Sequence, residues 1–198
     1  MSRIRLLLWV LVGIAAVGGI FLALNPPPAS TGQGQEMPLD TIGGPFTLVG
    51  GDGQPFASSR LAGKPAAVFF GFTRCPDVCP TTLARLTRLR SQLAKGDEAF
   101  SIVFISVDPE RDRPEDVGRY TTLFDTPVIG LTGSPAQIDR VKKQFGVFSQ
   151  KAPTSGGDYS VDHTATVFLL DRAGKFVATL SPEEGNEAAL AKLRRIST

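Results

Sequence analysis

Histidine, cysteine, methionine and tryptophan are all scarce in this chain. Its 198 residues include one histidine, His163, one tryptophan, Trp9, two methionines, Met1 and Met37, and two cysteines, Cys75 and Cys79. Methionines so placed exclude a thioether-rich metal pocket. Three nitrogen and sulfur donors are one short of the four that structural zinc takes, and two cysteines are too few for a disulfide framework. Charge of one sign is missing as well. There are 21 basic and 19 acidic residues, and Arg3 and Arg5, ahead of the first apolar run, account for the difference. A nucleic-acid binder shows a basic excess or stripe, so no nucleic-acid partner is expected. Lys142-Lys143, Arg194-Arg195 and the trio Arg85, Arg88 and Arg90 are read as solvating helix faces. G-x-S-x-G, H-E-x-x-H and P-loop patterns are absent.

What the chain does have begins with Leu6–Leu24, nineteen residues without a charge. As a helix this stretch would reach about 28 Å, close to the hydrocarbon thickness of a bilayer. Arg3 and Arg5 precede it and no Lys or Arg follows until Arg60, an asymmetry that keeps the amino terminus cytoplasmic. The reading is a single-pass anchor in a bacterial inner membrane with the remainder in the periplasm. A cleaved signal peptide is the competitor, but its apolar region would be shorter and end in small residues. The expected organisation is a cytoplasmic tail at 1–5, a transmembrane helix at 6–24, a Pro/Gly-rich tether at 25–37 and one folded domain at 38–198.

Within that domain, Ala66–Phe72 and Phe100–Val107 are unbroken apolar runs, the pattern of strands buried on both faces. Phe46–Val49 predicts a short strand closed by the Gly50-Gly51-Asp52-Gly53 turn, and Val128–Leu131 another strand. Helices are expected from Pro80 to about Lys95, over Pro114–Phe124, over Ser134–Phe145 with Ser134 as cap and Gly146 as stop, and over Asn186–Ile196. Thr164–Leu170 and Phe176–Leu180 flank an Asp171–Gly174 turn and predict an antiparallel hairpin. Phe148–Ser160 is expected to be irregular, with mobility that would serve His163. The alternation predicts an α/β fold, a central mixed sheet with helices on both faces.

Both cysteines lie in one loop, Cys75-Pro76-Asp77-Val78-Cys79, between a buried strand and a helix start. A helix amino terminus favours thiolate over thiol. Pro76 and Pro80 bias the residue before each of them away from helical torsions, so both sulfurs are expected to point outward from a stiff loop. A disulfide across so short a step would stabilise the fold only modestly. Two chemistries stay open: a soft-metal site, Cu(I) above all, or a thiol redox switch.

His163 stands at an element end rather than on an apolar stripe. If the strand after it neighbours Ala66–Phe72, His163 comes near the cysteines and supplies a third ligand. Asp77 and Asp162 are candidates for tuning that site, with solvation or capping as the simpler alternative for both. The acidic stretch Asp108-Pro109-Glu110-Arg111-Asp112 is read as a turn stabilised by Asp108 and Pro109 rather than a metal loop.

Three stretches, GFTRCPDVCPTTL (Gly71–Leu83), ISVDPERDRP (Ile105–Pro114) and YSVDHTATVFLLD (Tyr159–Asp171), together with the anchor, resemble the SCO/SenC family of membrane-anchored copper proteins. Arg113 departs from the smaller residue expected there. The resemblance implies a thioredoxin-like fold with extra elements, and copper, as Cu(I) with Cu(II) as a second state, bound by Cys75, Cys79 and His163. It implies a metallochaperone rather than an enzyme, with cytochrome c oxidase subunit II as recipient through its CuA centre. A copper donor and a thiol reductant would also be partners. The alternative is a thiol-disulfide oxidoreductase in which Cys75 and Cys79 reduce the recipient's cysteines or act in redox signalling.

Overall fold

The two unbroken apolar runs become the central strands of a seven-stranded mixed sheet. In the computed structural model, which describes Trp9 and residues 42–154 and 157–197, the order is β2-β1-β5-β4-β3-β8-β9. Strands β3 (Ala66–Gly71), β4 (Ser101–Ser106) and β5 (Val128–Thr132) are parallel neighbours. Strand β1 (Thr47–Gly50) pairs antiparallel with β5 and with β2 (Pro55–Ala57); on the other side β8 (Val167–Leu170) pairs antiparallel with β3 and with β9 (Phe176–Leu180). The fold is therefore mixed α/β, as expected. Strand β2, only three residues long, was not foreseen.

Helices pack on both faces. Phe69 packs on Phe104, and Phe104 on Tyr120 of α2 (Pro114–Thr121), on one face, where α1 (Val78–Ser91) also lies against the sheet. On the other, Phe70 and Phe168 enclose Phe145 of α3 (Pro135–Phe145). A final helix, α4 (Asn186–Ser197), closes the chain. The α3 termini are those read from sequence. The Ser134 side chain accepts the Gln137 N–H, and Gly146 ends the helix at φ 66°, a conformation that favours glycine.

Away from the cysteine loop, two expectations fail. The Phe148–Ser160 segment is not irregular: β6 (Ser149–Pro153) and β7 (Tyr159–His163) form a separate two-stranded sheet, with Ser149 opposite His163. Its residues are too polar to show the apolar runs that marked the central strands. Arg90 does not solvate a helix face. It is 2% exposed and donates to the carbonyls of Phe100 and Pro127, so it joins α1 to the loops around β4 and β5. Arg85 likewise donates to the carbonyls of Ser181 and Glu184 and to Asn186 Oδ1.

Among the described residues no helix is long and apolar enough to cross a membrane. Apart from Trp9, the expected anchor at 6–24 lies outside the described residues, as do the tether at 25–37 and the domain start at 38.

Candidate metal centre

The carboxyl ends of β3 and β4 build the site. Chain leaving β3 at Gly71 turns through Phe72–Asp77 into α1. Strand β8 runs antiparallel to β3, with Val167 opposite Phe69, so the residues just before β8 arrive at that same end. His163 is thereby brought to the cysteines, as the neighbouring-strand argument required. The Nε2 atom of His163 lies 3.5 Å from Cys79 Sγ, and the three donor atoms of Cys75, Cys79 and His163 are all within 4.8 Å of one another. Among the described residues this is the one cluster of three or more such groups that could hold a metal ion.

Imidazole orientation follows from its other nitrogen. Nδ1 sits 3.0 Å from the Thr164 carbonyl, which only accepts, so Nδ1 carries the proton and Nε2 offers its lone pair toward sulfur. Phe69 and Phe72 pack on the ring in T-shaped contacts, with centroids 6.0 Å and 5.9 Å away, and hold its plane.

The two sulfurs are not equivalent, which corrects the expectation that both point outward. Helix α1 begins at Val78, before Pro80, because proline in a first helical turn forgoes only an N–H that has no helical partner there. Cys79 is thus helical and fully buried, its Sγ pressed against β3 beside Gly71. A Cβ on Gly71 would lie 2.6 Å from that sulfur, so only glycine leaves room for it. Cys75 remains half-exposed, and its Sγ accepts the Cys79 backbone N–H at 3.5 Å. A sulfur acceptor at a helix amino terminus is stabilised as an anion. Both cysteines are free thiols.

Titration follows that asymmetry. The Cys79 side chain, donating to Cys75, is the largest influence holding the Cys75 thiol down to about 5 from its ordinary 9.0; backbone N–H groups of Cys79 and Asp77 act in the same direction, against burial. Cys79 is pushed well above the usual thiol range, first by its hydrogen bond to Cys75 and then by burial. The pair therefore carries one ready thiolate, on Cys75, over a protonated thiol.

Asp77 and Asp162 are exposed; Asp77 accepts the Thr81 hydroxyl at 3.2 Å, and Asp162 stands opposite Gln150 in the hairpin. Both line the shallow depression of about 280 Å³ that opens over Cys75 and His163, together with Phe72, Pro76, Val78 and Ala165. Asp108–Asp112 is a turn, with the Asp108 carbonyl accepting from the Arg111 and Asp112 N–H groups. Sequence reasoning missed what its side chains do. Asp112, 1% exposed, accepts the Thr73 N–H at 2.9 Å and the hydroxyls of Thr73 and Ser106 at 2.6 Å each, fixing the segment two residues before Cys75. A run of charge directly after a buried strand was the available signal.

The description of the SCO1/SenC family matches residues 34–198. The chain belongs to the SCO1/SenC family. A SCO2-like protein of Rickettsia prowazekii is 34% identical over 180 residues, covering 89% of this chain and 87% of its own length. Bradyrhizobium japonicum ScoI, solved with copper bound, has 44% identity and a TM-score of 0.70, covering 78% of this chain and 99% of that one. BsSco, a member of the Sco family of cytochrome c oxidase assembly proteins in which a disulfide switch was identified, has 25% identity and a TM-score of 0.63 over 82% of this chain and 97% of its own. The sequence resemblance is thus established, and the mixed α/β architecture is that of the Sco fold.

Proposed function

We propose that this SCO1/SenC protein is a copper metallochaperone. Cys75, Cys79 and His163 hold Cu(I) as cargo, and the recipient is the CuA centre of cytochrome c oxidase subunit II. The observation that carries the reading is the convergence of two thiols and one imidazole lone pair within 4.8 Å. Soft sulfur donors with one imidazole select Cu(I), and three donors leave zinc short of its usual four. The copper-bound relative supports the metal, and the oxidase-assembly relative supports the recipient. The folded domain is a thioredoxin-like unit elaborated by β1, β2 and the β6–β7 hairpin. Leu6–Leu24 anchors it to a bacterial inner membrane, with the site in the periplasm and a copper donor and a thiol reductant as further partners. Half-exposure of Cys75 gives an incoming thiolate access to the ion, so that ligands exchange one at a time.

A second reading rests on the thiol asymmetry. A low-pKa, half-exposed Cys75 above a buried Cys79 is arranged for disulfide exchange. The Cys75 thiolate attacks a partner disulfide and expels one partner thiolate. Cys79, losing its proton to solvent, then attacks the mixed disulfide and releases the second, so two electrons pass to the partner. An oxidised pair binds no Cu(I), so redox state would gate loading.

The test is a titration of the reduced full chain in detergent with Cu(I) against a chromophoric chelator. Cys75→Ser and Cys79→Ser should abolish stoichiometric binding. His163→Ala should weaken it at least about tenfold, since removing even an outer-shell partner costs that much. Unchanged affinity in His163→Ala would overturn the three-ligand site. A Cys79→Ser variant that traps the recipient as a mixed disulfide would favour the redox reading.

A further inference from the structure

Strands β6 and β7 pair only with each other, so the hairpin that presents His163 is tied to the domain by side chains rather than by a sheet ladder. Val161 is buried in the core and His163 packs on Phe69 and Phe72, but one side chain makes the densest set of polar contacts in that connection. Arg111 projects from the turn after β4 with only 11% of its side chain exposed. Its Nε donates to Asp108 Oδ2 at 2.5 Å, while one terminal nitrogen donates to the Tyr159 carbonyl at 2.8 Å and to Asp158 Oδ1 at 2.9 Å. The guanidinium lies 3.6 Å from the centroid of the Tyr159 ring, whose hydroxyl donates back to Asp108 Oδ1 at 2.8 Å. Other ties are fewer or looser. Lys151–Glu110 and Arg74–Asp158 are exposed pairs, the second at 3.8 Å, and exposed pairs contribute little. Lys142 Nζ donates to Ser149 Oγ at 2.9 Å at the opposite end of the hairpin.

The turn that carries Arg111 also carries Asp112, which grips Thr73 beside the cysteine loop. One five-residue turn, Asp108–Asp112, therefore anchors both halves of the metal centre: the cysteines through Asp112 and the histidine through Arg111. Tyr159 and His163 are the two ends of β7, about 13 Å apart along an extended strand. A clamp at one end sets the angle at which the other end meets the sulfurs.

We propose that Arg111 is a positioning residue that holds the β6–β7 hairpin closed and thereby sets how fast His163 leaves bound Cu(I). This rests on the copper reading above. Arginine is suited to the task, because a planar fork can stack on Tyr159 and bond Asp108 and the β7 backbone at once, whereas a lysine ammonium cannot.

The test uses the full chain in detergent as wild type, Arg111→Gln and Arg111→Lys, each with and without His163→Ala. Two readouts are taken: Cu(I) loss to excess chelator by stopped flow, and amide hydrogen exchange of residues 149–153 and 159–163 in the metal-free protein. Arg111→Gln should accelerate Cu(I) loss about tenfold, the scale at which network residues modulate a distant site. It should raise hairpin exchange while leaving β4 protected, with Arg111→Lys between the two. In the His163→Ala background the acceleration should disappear, because the clamp acts through that ligand. An equal acceleration with and without His163, or hairpin exchange unchanged from wild type, would overturn the proposal. If Arg111→Gln does not fold, Arg111→Lys carries both readouts. Failure of wild type to bind Cu(I) would instead sink the copper reading, and the exchange of the metal-free protein would still decide whether Arg111 holds the hairpin.

Discussion

Gly71→Ala is the sharpest perturbation that the geometry offers, because it adds one methyl group at the point where a strand meets a ligand. That Cβ would lie 2.6 Å from Cys79 Sγ, 2.9 Å from the Phe104 ring and 3.2 Å from the Phe69 ring. Restoring ordinary van der Waals separation from the sulfur requires a shift of about 1 Å. The strand has little freedom to supply it, since β3 is paired with β4 through Gly71 itself and with β8 as far as Phe69, and is buried throughout. Cys79 must move instead, outward with the first turn of α1. Overpacking of this kind costs about 1–3 kcal/mol, which for a domain of this size lowers Tm by roughly 2–12 °C. The metal site should suffer more than stability. Productive ligand sets tolerate about 0.5 Å, so Cu(I) affinity should fall about tenfold or more. Thermal unfolding by circular dichroism and chelator competition measure the two effects. Native-state alkylation read by mass spectrometry adds a third, with one modified cysteine in the wild type and two in the variant. A Gly71→Ala protein with wild-type Tm, wild-type Cu(I) affinity and a single reactive cysteine would refute the claim that β3 confines the Cys79 sulfur.

Two further outcomes follow from the same structure. Since the Cys75 pKa is lowered to about 5, its iodoacetamide reactivity in the metal-free reduced protein should be flat above about pH 6 and fall about tenfold per unit below pH 5. The linkage sign agrees: a lowered folded pKa stabilises the fold above the unfolded thiol value, and that contribution is lost as pH falls from about 9 through 5. A reactivity midpoint near 8.5 would refute the hydrogen-bonded thiolate. Asp112→Ala should destabilise the domain by about 3 kcal/mol, read from the urea midpoint, because three donors lose a buried carboxylate acceptor. A shift below about 1 kcal/mol would mean that this carboxylate does not fix the Thr73 segment.

Much of the domain was legible because its signals are local. Unbroken apolar runs marked β3 and β4, Ser134 and Gly146 marked the ends of α3, and the Asp171–Gly174 turn marked the β8–β9 hairpin. The β6–β7 hairpin escapes a sequence reading because the residues of its strands, Ser149–Pro153 and Tyr159–His163, are mostly polar and exposed or half-exposed, and pairing across a loop leaves no periodic trace. Arg90 departs from expectation for the opposite reason: a charged residue on a helix signals solvent unless distant carbonyls, here of Phe100 and Pro127, accept its hydrogen bonds.

The amino-acid sequence by itself determined which atoms could act as ligands. With two cysteines and one histidine there was no other soft donor set to choose, and the motif stretches Gly71–Leu83, Ile105–Pro114 and Tyr159–Asp171 brought the likeness to a family into view. Only the tertiary structure decided what those atoms do. Whether a cysteine is a reactive thiolate or a buried thiol depends on what packs over it, and for Cys79 that is Gly71, eight residues earlier on another element. Whether His163 reaches sulfur depends on the pairing of β8 with β3 and on a clamp at Arg111, fifty-two residues upstream. The β8–β3 pairing and the Arg111 contacts join segments far apart in the chain, and no local pattern encodes their register.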